Sequence, residues 1–255
     1  MLSMLQAMEV PYFILGPELE ATNAALAEAL VTVRRTSAPV ALVIKKGTFQ
    51  SFSIPGGAKA AFELSREAAI HQVLEELDTR DIVVATTGMA SREVYEYRVR
   101  KEQGHQCDFL TVGGMGHAAH IALGLALQKP DRSVYCLDGD GALLMHMGGL
   151  AIAGVLKPRN LKHIVLNNGA HDSVGGQPTV GFAVDLLNIA RAASYEQAFR
   201  AQTCSELKAS MRELKHSGGP SLLEIRVRRG SRKDLGRPTS TPVQNKHSFM
   251  EFLAK

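Results

Sequence analysis

The chain has 255 residues and a net charge of +4, and its 45% hydrophobic and 21% charged residues are ordinary for a globular protein. No apolar run reaches the ~20 residues that span a bilayer, and the first residues lack the pattern of a secretory signal, so we do not expect a membrane protein. Tryptophan is absent and aromatic residues make up 5% of the chain, which leaves few side chains to stack on nucleic-acid bases, so we expect no nucleic-acid partner.

Residues 1–50 predict a short β-α-β piece. Residues 10–15 and 39–47 are typical of strands, and a helix is predicted between them. The apolar face of this helix comprises Leu19, Leu26, Leu30 and Val33. A piece of this size is at the lower limit for an independent domain, and the chain does not obviously supply partners for its apolar faces. Residues 51–62, with Pro55 followed by two glycines, predict a linker.

Short apolar strands alternate with helices from residue 63 to residue 230. The strands are predicted at the segments DIVVATTG, FLTVGG, SVYCLDGDG, HIVLNNG and SLLEIRV. Such alternation predicts an α/β fold with a doubly wound parallel sheet, in which ligands bind at the carboxyl ends of the strands. Three of these ends carry glycine, at residues 86–88, 138–141 and 167–169. Residues 231–255 predict a basic, loop-like tail with a short final helix.

Two of these strand ends carry oxygen ligands. Asp140 follows one predicted strand and Asn168 follows the next, 28 positions later, so a helix between them brings both to one edge of the sheet. A carboxylate, an amide oxygen and a free backbone carbonyl are hard ligands that suit Mg²⁺. Gly139 and Gly141 allow a diphosphate to approach the backbone. The N–H groups of Gly141 and Ala142 begin a helix, which favours an anion there.

The GDG segment at 139–141, followed by two asparagines at 167–168, resembles the signature of thiamine-diphosphate enzymes. The resemblance implies the thiamine-diphosphate-binding fold and a bound thiamine diphosphate with Mg²⁺. By the same resemblance Asp140, Asn168 and the backbone carbonyl of Ala170 hold the magnesium ion. Either segment alone could be a turn, but turn formation does not explain both at this spacing.

A second segment, residues 112–127, resembles the part of these enzymes that lies beneath the cofactor. The resemblance implies that the carbonyl of Gly113 accepts a hydrogen bond from the aminopyrimidine of the cofactor and that Met115 holds the cofactor bent. A core methionine is the other interpretation of Met115. At the end of an earlier strand, Thr87 and Gly88 are further candidates for cofactor contact.

A dinucleotide-binding fold is the competing interpretation. Residues 114–119 fit the loose GxGxxA pattern and Asp138 ends the next predicted strand, which together would indicate a dehydrogenase. This interpretation leaves residues 139–141 and 167–168 unexplained, whereas the thiamine-diphosphate resemblance accounts for all three segments. We therefore favour the thiamine-diphosphate interpretation.

Residues 167–179, NNGAHDSVGGQPT, and residues 45–49, KKGTF, resemble the phosphonopyruvate decarboxylases. The resemblance extends over residues 1–225. It implies a carbon–carbon lyase of phosphonate biosynthesis that converts phosphonopyruvate into phosphonoacetaldehyde and CO2 without oxidation. The sulfopyruvate decarboxylases share the segments VGGMG and DGDG, so sulfopyruvate is the alternative substrate.

Three residues are candidates for catalysis. His171 and Asp172 directly follow the predicted metal loop and could contact substrate or transfer protons, although they could equally be a loop histidine and a turn-capping aspartate. His117, at the start of a helix, could line the substrate pocket. Arg92 could meet an anionic group, but we favour a solvated helix charge. The basic residues of 226–233 indicate a solvated surface.

The related enzymes have a second domain that binds the aminopyrimidine and supplies an activating glutamate. Residues 1–50 resemble only its closing part. None of their glutamates lies at a matching strand end: Glu9, Glu18, Glu20 and Glu28. We therefore expect the chain alone to be a poor catalyst and to act as a homo-oligomer, or with a chain that supplies the missing domain. The alternative is a chain that binds cofactor or a partner without turnover.

The cysteines bear on the cellular compartment. Cys107, Cys136 and Cys204 are odd in number and widely spaced. Such a set predicts reduced structural thiols rather than a disulfide or zinc framework, and with them a cytoplasmic protein.

Overall fold

The computed structural model describes residues 1–50 and 62–255. The chain divides into two compact units, Met1–Ala58 and Lys59–Lys255. The linker predicted at 51–62 lies, apart from Phe62, outside the described residues. Every helix in the described ranges is too short or too polar to cross a membrane.

In its described part, the first unit pairs two parallel strands with two helices. The elements are α1 (Leu2–Ala7), β1 (Tyr12–Leu15), α2 (Leu19–Thr36) and β2 (Ala41–Ile44). Helix α2 buries Thr22 and Ala29, whereas Leu30 and Val33 are 56% and 39% exposed. Leu19 is also exposed, at 73%. The apolar face predicted for this helix is therefore not buried at these three positions, because α2 packs against β1 through smaller residues.

The second unit is built on a six-stranded sheet. Its strands in chain order are β3 (Ile82–Ala85), β4 (Asp108–Leu110), β5 (Val134–Gly139), β6 (Leu161–Asn167), β9 (Gln197–Ala201) and β10 (Ser221–Arg226). Between β6 and β9 the chain forms a separate antiparallel pair, β7 (Ala170–His171) and β8 (Gln177–Pro178). The spatial order of the sheet is β4-β3-β5-β6-β10-β9, and every pairing in it is parallel. The predicted α/β fold with a parallel sheet is thus confirmed.

Helices cover both faces of this sheet. One apolar core includes residues of α3 (Arg66–Glu75), α4 (Met89–Arg100) and α9 (Cys204–His216). The other includes residues of α5 (Ala118–Gln128), α6 (Asp140–Met145), α7 (Gly149–Leu156), α8 (Leu186–Ala192) and α10 (Pro242–Ala254). The sequence of β3 is a continuous apolar run because its side chains enter both cores. Val83 contributes to the first core, and Val84 to the second.

The segment between β5 and β6 forms two helices, where the sequence predicts one. Helix α6 ends at Met145 and α7 begins only at Gly149, because His146 between them adopts φ −133° and ψ 39°. Two consecutive glycines follow at 148–149, where helix propensity is low. Strand β9 and the pair β7–β8 are also not predicted, because their short segments carry no apolar run.

The residues expected to be a C-terminal tail belong to the second unit. Helix α10 begins with a capping box between Thr241 and Gln244 and buries Phe249 against the core. The side chain of Asn245 accepts from the N–H of Leu110 at 3.2 Å and also donates to a carbonyl of the same strand, β4. The helix therefore satisfies backbone groups that the edge strand would otherwise leave open.

A buried ion pair joins α4 to β4. Arg98 donates to both carboxylate oxygens of Asp108, each at 3.0 Å. Asp108 is fully buried, and Arg98 is 8% exposed. Removing one partner from such a pair leaves an uncompensated charge in the interior.

Replacing Asp108 by Asn should therefore lower the free energy of unfolding by about 3–5 kcal/mol. Urea titration followed by circular dichroism measures the loss. The matched control is Asp131→Asn, which removes the exposed partner of Arg80 and should lower the same quantity by at most about 1 kcal/mol. Equal losses in the two variants would contradict a role for burial.

Candidate active site

The carboxyl ends of three neighbouring strands, β3, β5 and β6, lie along one edge of the sheet. The turns at these ends line a cavity of about 50 Å³, which we call the active-site cavity. Its lining includes ten residues that the sequence predicts for the site: Thr87, Met115, Gly139, Asp140, Gly141, Ala142, Asn168, Ala170, His171 and Asp172. With Met115, which follows β4, the parallel sheet thus gathers residues from four distant segments at one edge.

Three predicted site residues lie elsewhere. Gly88 lines a neighbouring cavity. Gly113 and His117 line a third cavity, in which His117 is exposed and its Nδ1 lies 3.1 Å from the carbonyl of Gly114. The structure therefore does not bring His117 together with His171 and Asp172 in one cavity.

Asp140 and Asn168 are in contact. The N–H of Asn168 donates to Asp140 Oδ1 at 3.4 Å, and the hydroxyl of Thr179 donates to Asp140 Oδ2. Asp140 is 1% exposed and Asn168 is 4% exposed. Burial raises the pKa of Asp140, and the hydrogen bonds from Thr179 and Asn168 only partly oppose this. A nearby cation would favour the ionised carboxylate.

The groups at this point fit a magnesium ion. The cavity lining offers the carboxylate of Asp140, the amide of Asn168 and the backbone of Ala170, which is the hard oxygen set that Mg²⁺ prefers. A Cβ atom added at Gly139 would meet no atom within 4 Å, so there is open space beside that turn. The donor chemistry and the space both suit a metal-bound diphosphate.

The rest of the glycine-lined surface is covered by the segment after β6. A Cβ atom at Gly141 would collide with the ring of His171, and one at Gly88 would lie 2.9 Å from Cβ of Ser173. These side chains keep the active-site cavity at about 50 Å³, well below the roughly 300 Å³ of a small ligand pocket. A diphosphate that approached Gly141 would have to displace His171.

Asp172 is held by three donors. Its Oδ2 accepts from Arg66 Nη1 at 2.8 Å, from Asn168 Nδ2 at 2.7 Å and from the N–H of Gly230 at 2.9 Å. Arg66 also donates to both carboxylate oxygens of Glu93, at 2.8 and 2.9 Å. These contacts orient the amide of Asn168 and favour a positioning role for Asp172. Sequence reasoning missed Arg66 and Glu93, because they lie on helices far from the motif.

Asp138 is hydrogen-bonded to the backbone of the turn after β5. Its Oδ1 accepts from the N–H of Gly139 at 2.9 Å, and its Oδ2 lies 3.4 Å from His163 Nε2. His163 Nδ1 lies 3.4 Å from the hydroxyl of Tyr195. The thiol of Cys136 is close to both Asp138 and His163. Both carboxylate oxygens of the buried Asp138 thus lie against groups of the protein itself, which argues against a ribose hydroxyl as its partner and against the dinucleotide interpretation.

The basic segment 226–233 is not simply a solvated surface. Arg229 donates to the carbonyls of Asn168 and Gly169, at 3.3 and 2.9 Å. Arg232 forms ion pairs with Glu67 and Glu96. Part of this segment is therefore bound to the protein beside the site, where the sequence alone predicts solvation.

Comparison with known proteins places this site in a family. Residues 86–225 match the family model for the thiamine pyrophosphate enzyme, C-terminal TPP binding domain. The matched range contains the turns after β3, β5 and β6, and it includes both Asp140 and Asn168.

Two curated relatives illustrate the range of similarity. The chain is 39% identical over 207 residues to a phosphonopyruvate decarboxylase of Streptomyces viridochromogenes, with 81% of this chain and 50% of the relative covered. It is 28% identical over 195 residues to the sulfopyruvate decarboxylase subunit beta of Methanococcus maripaludis, with 76% of this chain and 100% of the relative covered. The chain thus spans about half the length of the phosphonopyruvate decarboxylase that it matches.

A solved structure supports the same fold. The crystal structure of benzoylformate decarboxylase from Polynucleobacter necessarius superposes with a TM-score of 0.55 at 19% identity, over 72% of this chain and 36% of that chain. At this identity the likeness concerns the fold alone.

Gly181 is packed against the carboxylate of Asp140 and the side-chain amide of Asn167. A Cβ atom there would lie 2.7 Å from Asn167 Oδ1 and would collide with the carboxylate of Asp140. At Gly148, by contrast, the backbone is helical, with φ −57°, and a Cβ atom would meet nothing within 4 Å.

We expect Gly181→Ala to lower the free energy of unfolding by about 1–3 kcal/mol, because the added methyl group must push Asp140 or Asn167 aside. Gly148→Ala should leave it unchanged or raise it slightly. Thermal or urea denaturation of both variants gives the comparison. A Gly181 variant as stable as the Gly148 variant would show that the packing around Asp140 is loose.

Proposed function

Since the chain belongs to the thiamine pyrophosphate enzymes, we propose that it is the diphosphate- and magnesium-binding part of a non-oxidative 2-oxo acid decarboxylase. The proposed reaction converts phosphonopyruvate into phosphonoacetaldehyde and CO2. The observation that carries this proposal is the contact between Asp140 and Asn168, two buried oxygen-bearing side chains at neighbouring strand ends. Sulfopyruvate is the alternative substrate.

In this proposal Asp140, Asn168 and the carbonyl of Ala170 hold the magnesium ion. Asp172 contributes by orienting the amide of Asn168 through the 2.7 Å hydrogen bond from Nδ2. Such partners of metal ligands fix the direction of the donor atom and thereby raise affinity. Arg66 in turn holds Asp172, so the ligand arrangement is supported from helix α3.

The remaining cofactor contacts come from the glycine turns. Gly139, Gly141 and Ala142 face the diphosphate, together with Thr87 and Gly88. Gly113 accepts from the aminopyrimidine, and Met115, which lines the active-site cavity, supports the bend of the cofactor. When bound, thiamine diphosphate supplies the nucleophilic carbon and accepts the electron pair that CO2 leaves behind.

His171 is the proposed proton-transfer residue. Its ring lies directly over Gly141 in the active-site cavity, so it would border a bound cofactor, and an imidazole can donate or accept a proton near neutral pH. Asp172 is less suited to this task, because three donors already occupy one of its oxygens. His117 remains a predicted pocket residue, without a contact to the other two.

The substrate assignment is supported by the relatives. The phosphonopyruvate decarboxylase matches at 39% identity over 81% of the chain, and the sulfopyruvate decarboxylase subunit at 28% over 76%. The segment at 167–179, which resembles the phosphonopyruvate enzymes, includes the proposed magnesium ligands and His171. We therefore rank phosphonopyruvate first.

We also propose that the chain acts with a partner, either a second copy or a different subunit that supplies the activating glutamate. The first unit supports this, because its strands expose apolar side chains: Ile14 is 46% exposed, Leu42 44% and Ile44 48%. Water-exposed apolar strand faces are typical of an interaction surface. The same observation favours the second candidate function, a chain that binds cofactor and partner without turnover.

The three free cysteines are compatible with the proposed cytoplasmic location.

The variant Asp140→Asn tests the metal site. Burial raises the pKa of Asp140 in the folded chain, so above that pKa its charge lowers the stability of the fold. Without magnesium, the variant should be at least as stable as the wild type at pH 7. With magnesium and thiamine diphosphate at about 100 times Kd, the wild type should gain about 2.7 kcal/mol and the variant nothing.

Thermal denaturation with and without the magnesium-loaded cofactor measures both effects. Asp131→Asn removes an exposed carboxylate and should keep the full gain. If the loaded cofactor stabilises the Asp140 variant as much as the wild type, Asp140 is not a ligand of the metal.

The reaction is tested with three 2-oxo acids. CO2 release from phosphonopyruvate should exceed that from sulfopyruvate and pyruvate by about tenfold or more in kcat/KM, even if the absolute rate of the chain alone is low. Size-exclusion chromatography of the same sample reports its oligomeric state. Faster CO2 release from sulfopyruvate would make sulfopyruvate the preferred substrate. Cofactor binding without CO2 release from any of the three acids would favour the second candidate function.

A further inference from the structure

A second cavity adjoins the active-site cavity. It has a volume of about 320 Å³ and lies between the turn after β3, the end of β4 and residues 237–242. Thr87 lines both cavities. In the described part of the chain, the residues that line the second cavity include Arg92 and Arg237 but no aspartate or glutamate. We call it the arginine cavity; among the residues described, its lining carries two positive charges and no negative charge.

Arg92 lies on α4, and the carboxylates at neighbouring positions of this helix are both engaged elsewhere. Glu93 binds Arg66 through both of its oxygens, and Glu96 pairs with Arg232. Within residues 1–50 and 62–255, no side chain or carbonyl accepts a hydrogen bond from Arg92. The sequence favours a solvated helix charge at this position, but the half-buried side chain of Arg92 lines a cavity.

Arg237 is carried by a segment that is fastened to the same helix. The N–H of Gly236 donates to Glu96 Oε1 at 2.6 Å, and the hydroxyls of Thr239 and Tyr95 are 2.6 Å apart. These bonds hold the backbone on both sides of Arg237. Its guanidinium group, like that of Arg92, has no acceptor among the residues that the structure describes.

The polar lining of the arginine cavity leaves few other donors available. Ser91 and Thr111 both donate to the carbonyl of Ala85, at 3.3 and 2.7 Å, and are occupied. Ser240 has no hydrogen-bond partner in the described chain and can donate. The hydroxyl of Thr87 accepts from the N–H of Gly113 at 3.2 Å and can also donate. The lining thus contains two arginines, the exposed Arg237 and the half-buried Arg92, and two available hydroxyls, which is a donor set for a tetrahedral oxyanion.

We propose that the arginine cavity binds the phosphonate group of the substrate and that Arg92 and Arg237 determine specificity for a 2-oxo acid with a dianionic tail. This inference rests on the proposed function. Two positive charges in the lining of one cavity, with no carboxylate beside them among the lining residues that the structure describes, favour a doubly charged ligand. The active-site cavity offers no comparable group in the described chain, because its arginine, Arg66, is neutralised by Glu93 and Asp172.

The variants Arg92→Gln and Arg237→Gln test the proposal in the cofactor-loaded protein. Each should raise KM for phosphonopyruvate by about tenfold or more, since each loses a charge-assisted hydrogen bond, while kcat/KM for pyruvate stays within about twofold. Arg92→Lys should recover part of the loss, because it keeps the charge but not the paired donors. The control is Arg212→Gln, which removes one exposed charge on α9, away from both cavities.

A binding measurement does not depend on turnover. Calorimetry and ³¹P NMR with methylphosphonate and with inorganic phosphate should show binding to the wild type and to the Arg212 variant. The affinity should fall about tenfold or more in the Arg92 and Arg237 variants, whereas uptake of thiamine diphosphate and magnesium is unchanged.

Three results would overturn the proposal. These are no binding of either anion to the wild type, equal binding to all variants, or an equal loss of activity toward phosphonopyruvate and pyruvate. The Arg92 and Arg237 variants could also lose binding of inorganic phosphate while their KM for phosphonopyruvate is unchanged. This result would show that the arginine cavity does not bind the substrate. Failure of the proposed function shows itself separately, as absent cofactor uptake or absent CO2 release in the wild type.

Discussion

The contact between Asp140 and Asn168 is the constraint on which the candidate site depends. A parallel sheet places the ends of β5 and β6 side by side, so a carboxylate and an amide meet in a region almost without solvent. Burial disfavours the charge of Asp140, and the N–H of Asn168 and the hydroxyl of Thr179 offset this only in part. A buried carboxylate with incomplete compensation is a natural place for a divalent ion. The small size of Gly181 keeps the backbone close enough for this arrangement to form.

Behind this contact lies a charge network that comes from separate parts of the fold. Arg66 on α3 connects Glu93 on α4 with Asp172 in the segment after β6, and Asp172 in turn holds the amide of Asn168. One guanidinium is shared by two carboxylates in this network, and burial raises the pKa of Glu93 despite its two bonds from Arg66. The direction of the Asn168 amide is therefore set by two helices as well as by its own loop, whereas His171 would have to move for a diphosphate to reach Gly141.

The two cavities differ in how their positive charges are used. In the active-site cavity, Arg66 is bound by carboxylates and serves to position the ligand groups around Asp140. In the arginine cavity, Arg92 and Arg237 have no carboxylate in the lining and are available to an anion. Thr87 lines both cavities and so stands where they join. The proposed metal site and the proposed phosphonate site thus lie side by side along the same sheet edge, as a substrate with a charged tail beside a metal-bound cofactor would require.

The sequence by itself determined the parallel α/β fold and most of the active-site lining. The apolar runs of β3, β5 and β6 and the glycine turns after them are local signals, and parallel strands must end at a common edge. Only the tertiary structure decided the network of Arg66, Glu93 and Asp172 and the availability of Arg92, because whether a charge is paired depends on helices that lie far from it along the chain. The sequence also predicted a short final helix, but only the tertiary structure decided that this helix packs beside the edge strand β4, because Asn245 satisfies backbone groups of that strand.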